Sequence, residues 1–425
     1  MKTKTYEAAR HLDEKDISFL NSIYEFRCLS IEQSFDYFYS DEFDSIEEFE
    51  EKIVFFIELE LIEKIEYKEG FALFLTNRAI EIIRDTYGLA TNIVDYEKNI
   101  IKRGYYTAGE LKMLPRLINH QVHLNRFVLD FKHLAKDENL NWKHYGEKHV
   151  SHYFGIRPDA MIRFYDVDIF LEQDMATESK TQLMGKWENY RTYLRSKEHD
   201  QNTRKIIVLF IIDNTKQVEK RKELVRYTAV DSLIDLYDSR FDMHVGTRSE
   251  LLDTLFSSII PTMQNINGTH NLFMKLMRIR HNYAVRDATK LKPLLSDTEY
   301  TFMIYKIDEN DNLIIQNGRL QEFLVDDATC NPFSIHHKLA YHKRNSASFH
   351  REMKRHISVI FLVESEKVIE QQLKLTGLMG TDNVYYTTLH RLEKKSFPEA
   401  LFQFDRAGNI YHFSNPGLVQ RVYEK

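Results

Sequence analysis

The sequence predicts a protein of the α/β (α+β) class, with a helical N-terminal part followed by two similar parts in which helices and strands take turns. Three patterns carry this expectation. Apolar residues keep helical spacing through about residue 60 and then alternate around Glu69-Gly70. From residue 111 onward, segments of helical and strand period follow one another. The stretch beginning Arg204-Lys-Ile-Ile-Val-Leu-Phe-Ile-Ile returns without a gap at Arg355-His-Ile-Ser-Val-Ile-Phe-Leu-Val, an offset of 151 residues. That period is too long for a solenoid and suits a duplicated domain.

With 425 residues, 43% apolar and 29% charged, the chain has the make-up of a globular protein, which excludes disorder as its main state. At ~100–200 residues per domain it holds two to four of them. Its two cysteines, Cys28 and Cys330, build neither a disulfide framework nor a cage of thiolates alone, so a reducing compartment is expected. Met1-Lys-Thr-Lys-Thr-Tyr lacks an apolar signal core, and the longest aliphatic run, Ile206 to Ile212, is far short of the ~20 residues that span a bilayer. The expectation is a cytoplasmic protein without membrane insertion. The net charge of −6 conceals an asymmetry: residues 1–88 hold 10 Lys/Arg against 21 Asp/Glu, a net of −11, and the remainder carries +5. A polyanion is repelled by the first part and tolerated by the rest, so the acidic total does not exclude nucleic acid.

In order along the chain, Ile17, Leu20, Ile23 and Tyr24 predict a helix over 15–27. Ser30 caps a second helix, 31–39, and Ser45-Ile-Glu-Glu has the form of a capping box ahead of Phe49, Ile53, Phe56 and Ile57. Leu61 to Leu75 reads as a hairpin, and 76–87 as a further helix. Three helices, a two-stranded wing and a helix make residues 1–88 a winged helix-turn-helix. The third helix has two readings. Major-groove docking needs Lys or Arg against phosphate, whereas Glu47, Glu48, Glu50, Glu51, Glu58 and Glu60 face a single Lys52, which favours docking of a protein. Residues 89–110 read as a linker.

Residues 111–265 read as αβββαβ. Leu114, Leu117, Ile118, Val122, Phe127, Val128 and Phe131 predict a long amphipathic helix; the strands are Leu140–Tyr145, Ile156–Phe164 and Val167–Glu172; a helix at Gln182–Leu194 and a buried strand at Lys205–Asp213 close the unit. On this order sit Asp159, in Arg-Pro-Asp, and Glu172-Gln173-Asp174 at a strand end. Side chains alternate along a strand, so Glu172 and Asp174 share a face, and a hairpin partner brings Asp159 toward it. Three carboxylates around one point suit Mg²⁺ or Mn²⁺, hard cations that neutralise charge developing at a phosphate.

The αβββαβ order with Pro-Asp and then Glu-x-Asp resembles the PD-(D/E)xK nuclease superfamily, with its restriction-endonuclease-like fold. Arg157-Pro158-Asp159, Phe170-Leu-Glu-Gln-Asp-Met-Ala-Thr-Glu-Ser179 and Lys186-Trp-Glu-Asn-Tyr190 resemble, more narrowly, the replication-relaxation family. That family includes the MobC-type plasmid relaxases, which join a winged helix to a nuclease-like core. Asn119-His120 matches its histidine-bearing helix, and His244-Val-Gly-Thr-Arg-Ser-Glu-Leu-Leu with Ile259-Ile260-Pro261 extends the likeness, which covers residues 14–261. The resemblance implies a relaxase that nicks DNA at a plasmid or conjugative-element transfer origin. Asp159, Glu172 and Asp174 would bind the metal, Lys186 would steady the phosphate or the attacking water, and His120 would assist. Asp174 replaces the superfamily's usual lysine, which is why the positive charge falls to Lys186. No His-x-His occurs, and none of the 24 tyrosines stands out as a nucleophile, so water or tyrosine remains open. The other reading is a DNA-binding accessory factor for plasmid replication or transfer that does not cut.

Residues 266–425 read as a degenerate copy. Phe323-Leu-Val-Asp-Asp-Ala-Thr aligns with Phe170-Leu-Glu-Gln-Asp-Met-Ala-Thr, which sets Val325 against Glu172; Lys338 aligns with Lys186, and Asp311 stands for Asp159. Loss of the glutamate predicts a non-catalytic, DNA-contacting repeat. Lys338, Lys343, Arg344, Arg351, Lys354 and Arg355, with His336, His337, His342, His350 and His356 and the rings of Tyr341 and Phe349 between them, form the expected contact surface. The expected partners are transfer-origin DNA and, beyond it, a coupling protein or other transfer and replication proteins.

Overall fold

A computed structural model describes residues 2–95, 100–138, 140–150, 153, 155–213, 216–236, 240–264, 268–288, 300–316, 319–329, 331–353, 358–376 and 378–412. The protein is mixed α and β, with several sheets. It forms two compact units: Met1–His152 with Pro158–Tyr165 and Gln173–Met175, and Tyr153–Arg157 with Asp166–Glu172 and Ala176–Lys425. These divisions fall within residues 152–176, where the chain passes between units several times. Among the described residues no helix is long and apolar enough to cross a membrane.

In the first unit, α1 (Glu14–Phe26) starts at a capping box of Asp13 and Asp16. α2 (Ile31–Ser34) is capped by Ser30 with Gln33 and runs into a π-helical turn, Phe35–Tyr39, so the helix expected over 31–39 changes winding half-way. α3 (Ile46–Glu58) is capped by Ser45, whose hydroxyl accepts the Glu48 amide. Phe19, Tyr39, Phe49 and Phe56 fill the space between these helices; Phe19 meets Tyr39 edge-on at 5.2 Å and Tyr39 stacks on Phe49 at 4.9 Å. Inside this aromatic core Asp16 is buried, accepting from the Tyr39 hydroxyl at 2.8 Å and pairing with Lys52 at 2.9 Å. Strands β1 (Ile62–Tyr67) and β2 (Gly70–Leu75) pair antiparallel from Ile62↔Leu75 to Tyr67↔Gly70. α4 (Asn77–Tyr87) ends at Gly88, whose φ of 65° is the left-handed cap that glycine adopts without strain.

The segment expected as a linker is ordered in part: Asn92–Asp95 pairs with Ile100–Arg103, and Ala108–Leu111 is a helical turn capped by Thr107 and Glu110. The apolar runs within these strands, Ile93-Val94 and Ile100-Ile101, are too brief to show a period. α5 (Pro115–Asp137) begins with proline at its first turn, where no amide is needed. Asn125 on α5 donates to the carbonyls of Phe26 and Cys28, at 3.2 and 2.6 Å, and Gln33 donates to that of Val122 at 2.7 Å, which fixes α5 against the N-terminal helices. β3 (Trp142–Gly146) and β4 (Ala160–Phe164) form an antiparallel hairpin, Trp142 opposite Phe164.

β5 (Val167–Asp174) is buried along its whole length, and its last two residues belong to the first unit. In the second unit follow α6 (Lys180–Leu194), β6 (Lys205–Ile212), α7 (Val218–Leu233) and β7 (Phe241–Gly246); β5, β6 and β7 are successive neighbours in one sheet, and β6 and β7 run parallel. Such strands, covered on both faces, read as continuous apolar runs, as Ile206–Ile212 does. Later in the same unit β8 (Tyr283–Asp287), β9 (Phe302–Lys306) and β10 (Glu322–Asp327) are antiparallel neighbours. After α8 (Ile335–Met353), β11 (Ser358–Leu362) lies parallel to β10; after α9 (Glu366–Thr376), β12 (Val384–Thr387) lies parallel to β11, and β13 (Phe402–Phe404) and β14 (Ile410–His412) complete the sheet. The order β5-α6-β6-α7-β7 thus recurs as β10-α8-β11-α9-β12, and each run is preceded by an antiparallel hairpin.

Candidate functional site

β5 carries Glu172 at its C-terminal end, where the side chain is buried, and α6 supplies its partners. Lys186 places its ammonium 3.0 Å from Glu172 Oε2 and 3.2 Å from Glu178 Oε1. One turn on, the Tyr190 hydroxyl donates to Glu172 Oε1 at 2.5 Å. Positions i and i+4 of a helix share a face, so Lys186 and Tyr190 reach the same carboxylate from one side. The ammonium also lies 5.3 Å above the ring of Phe210 on β6. Lys186 keeps 22% of its side chain exposed, and an ammonium has three donors, enough to serve both carboxylates.

The next residue along β5 organises a second cluster, within the first unit. The Gln173 amide donates to Asp159 Oδ2 at 2.8 Å. His120 of α5 holds its Nε2 3.0 Å from the Gln173 carbonyl, to which it donates, and 3.3 Å from Asp159 Oδ2. Asp159 therefore caps the strand end through its backbone, and Asp174 is buried beside it.

Of the five residues singled out from the sequence, Glu172 is paired with Lys186, and Asp159 with His120 beside Gln173, while Asp174 is buried at the end of β5. Among the described residues no group of three or more His, Cys, Asp or Glu side chains is placed to hold a metal ion. The two oxygens of Glu172 meet Lys186 and Tyr190, and Oδ2 of Asp159 faces an amide and an imidazole. Sequence reasoning missed Tyr190 and Glu178 as partners. The i, i+4 spacing of Lys186 and Tyr190 was the available signal, and the tyrosine's place on the apolar face hid it.

α8 divides the expected DNA-contacting residues. Lys343, Arg344 and Arg351 are exposed, whereas Lys338 turns inward and lies 2.7 Å from the buried carboxylate of Asp326. Lys354, Arg355 and His356 lie outside the described residues. The histidines differ from expectation as well: His336 and His342 are buried, His336 between Gln372 and Thr376 at 3.2 Å from each. Burial pushes His336 and His342 down to about 4 and His337, which is half-buried, to about 3, so these rings are neutral near neutral pH. On α3, Glu47, Glu48, Glu50, Glu51 and Glu58 are exposed with Val54 and Ile57, while Lys52 is turned onto Asp16. The helix that a groove-reading domain would present to DNA therefore shows carboxylates.

Residues 84–209 match the replication-relaxation family. The match takes in α5 through most of β6, and with them His120, Asp159, Glu172, Asp174 and Lys186; it is shorter than the 14–261 over which the sequence shows likeness. No curated protein and no solved structure matches the chain.

Proposed function

We propose that this protein binds DNA in plasmid replication or transfer, and that the C-terminal end of β5 is one place where it meets the phosphodiester backbone. The observation that carries the reading is Lys186, inside the segment that matches the replication-relaxation family, seated on the buried Glu172 with part of its side chain exposed. A buried carboxylate behind a lysine holds the cation in one position, so little side-chain entropy is lost when a phosphate arrives. The exposed bases of α8 supply further backbone contacts, which account for affinity and not for sequence. The N-terminal helices and hairpin are read as a winged helix whose acidic third helix docks protein.

The second reading is metal-dependent nicking at a transfer origin by a PD-(D/E)xK-like core. It is favoured by the surplus of acid on Lys186, where Glu178 joins Glu172 on one ammonium. It requires that a divalent cation be admitted where the arrangement described has an ammonium.

A supercoiled plasmid carrying the gene's own flanking region, incubated with the full chain with and without Mn²⁺, separates the two. A retarded, uncut plasmid supports the binding reading. Metal-dependent open circles that vanish with Asp159→Ala establish nicking. A plasmid neither retarded nor cut overturns both.

A further inference from the structure

Two helices of the chain keep apolar side chains at the surface, and the charges around them are of opposite sign. α3 turns Phe49, Ile53 and Phe56 into the aromatic core of the first unit, which leaves Val54, 52% exposed, and Ile57 on its outer face. At about 100° per residue, Glu47, Glu50, Glu51 and Glu58 fall on that same face and surround the two aliphatic side chains. Phe71 of the neighbouring hairpin is exposed beside them: Lys64 lies 4.4 Å over its ring and 3.6 Å from Glu50. Among the described residues, Glu50 is the only one of the four glutamates with an ion pair.

In the second unit the helix Gly268–Lys275 continues into a π-wound turn, Leu276–Arg280, and the whole stretch holds no Asp or Glu. Phe273 and Met277 enter the core, where Phe273 stacks on Phe302 at 5.4 Å. The face beside them presents Leu272, half-buried Leu276 and Ile279 at spacings of four and three, and Ile279 is 71% exposed, more than any other large apolar residue described. Lys275, Arg278 and Arg280 are exposed along this stripe. Arg278 pairs with Asp311 at the surface, and among the described residues Lys275 and Arg280 have no ion pair.

We propose that α3 of one molecule docks on the stretch Gly268–Arg280 of a second copy, with Val54 and Ile57 against Leu272 and Ile279, and the glutamates of α3 against Lys275, Arg278 and Arg280. The proposal rests on the reading of α3 as a protein-docking helix and supplies its partner. Single exposed aliphatic residues need no explanation. Here those of each helix sit together inside a border of one charge sign, which is how an interface core and its polar rim are arranged. Apolar contact alone would accept many partners; the opposite borders select one and repel the pairing of α3 with α3. Both faces are exposed in the folded chain, so the match is open to a neighbouring molecule, and the contact is heterologous, joining different patches of the two copies. A phosphate backbone would answer the bases but would leave Leu272 and Ile279 without an apolar partner, which favours protein over nucleic acid on this face.

The test is sedimentation velocity of the full chain, free of nucleic acid, over a wide range of concentration. The wild type is expected to sediment faster as concentration rises. Glu47→Lys/Glu51→Lys sets base against base, and Lys275→Glu/Arg280→Glu sets acid against acid, so each is expected to lose self-association by about tenfold or more. Mixing the two variants restores opposite charge at every contact between unlike molecules and should restore association, which also shows both to be folded. A wild type that stays monomeric, variants that associate as the wild type does, or a mixture that stays monomeric each overturns the contact. If Lys275→Glu/Arg280→Glu weakens binding of a labelled duplex and leaves self-association unchanged, the basic face belongs to nucleic acid and the contact is likewise overturned. Weaker duplex binding by Glu47→Gln/Glu51→Gln would overturn the protein-docking reading of α3 itself.

Discussion

The ammonium of Lys186 lies 3.0 Å from the carboxylate of Glu172, a residue with almost no surface of its own. Removing one member of such a pair strands the other. Lys186→Met is expected to destabilise the protein by about 3 kcal/mol, Glu172→Gln by less, and the double variant is expected to recover much of the loss. Urea unfolding of the four proteins checks it; single and double variants that simply add would show that the pair is not coupled.

The histidines of α8 predict acid lability. Their folded-state values, about 4 for His336 and His342 and about 3 for His337, lie below the 6.5 of the unfolded chain. Between those limits the unfolded state takes up protons that the folded state refuses. Stability is therefore complete above about pH 6.5 and falls as pH drops toward 4, by at most on the order of 3 kcal/mol for each ring. Thermal melts from pH 7 to 4.5 should show a steep slope, and His342→Phe should flatten it; an equal slope in the variant would place the acid transition elsewhere.

Cys28 is fully buried and its thiol is pushed up to about 12 by burial. The thiolate is the reactive form, so the native protein should resist alkylation at this position. In a Cys330→Ser background, labelling by an aromatic disulfide reagent should follow the rate of opening and become fast only in denaturant. Rapid labelling in buffer would mean that the packing of Ala72, Phe74 and Ile118 around it is loose.

Glu47, Glu50 and Glu51 on α3 are exposed, and exposed charges contribute little to stability. Their combined replacement by Gln should leave the melting temperature within about 2 °C and leave DNA affinity equal or higher, because repulsion of phosphate is removed. Weaker DNA binding by this variant would show that α3 contacts DNA through these side chains.

Elements with a local chemical signal were readable from the sequence. Ser30 and Ser45 cap the helices they precede, the hairpin turns at Lys68-Glu69 just before Gly70, and the run Ile206–Ile212 lies in the covered strand β6. Features that depend on which face of a strand meets which helix were not. A one-residue slip along a strand turns every side chain to the other face, so an alignment by likeness set Val325 against Glu172, whereas Lys338 meets Asp326. Counting carboxylates likewise could not reveal that Lys186 and Tyr190 already hold both oxygens of Glu172. That depends on helix phase, which apolar spacing fixes only to within a residue or two.

The way the chain is divided bears on how it is made. The first unit takes its last pieces from Pro158–Tyr165 and Gln173–Met175, after stretches that belong to the second. A nascent chain therefore cannot complete the first unit when residue 152 leaves the ribosome; it must wait until Gln173 has emerged to give its amide to Asp159 and its carbonyl to His120. No single uninterrupted stretch of the gene encodes either unit, so neither can be moved between proteins as a cassette by one recombination event, and the strand that bears Glu172 and Gln173 is inherited with both.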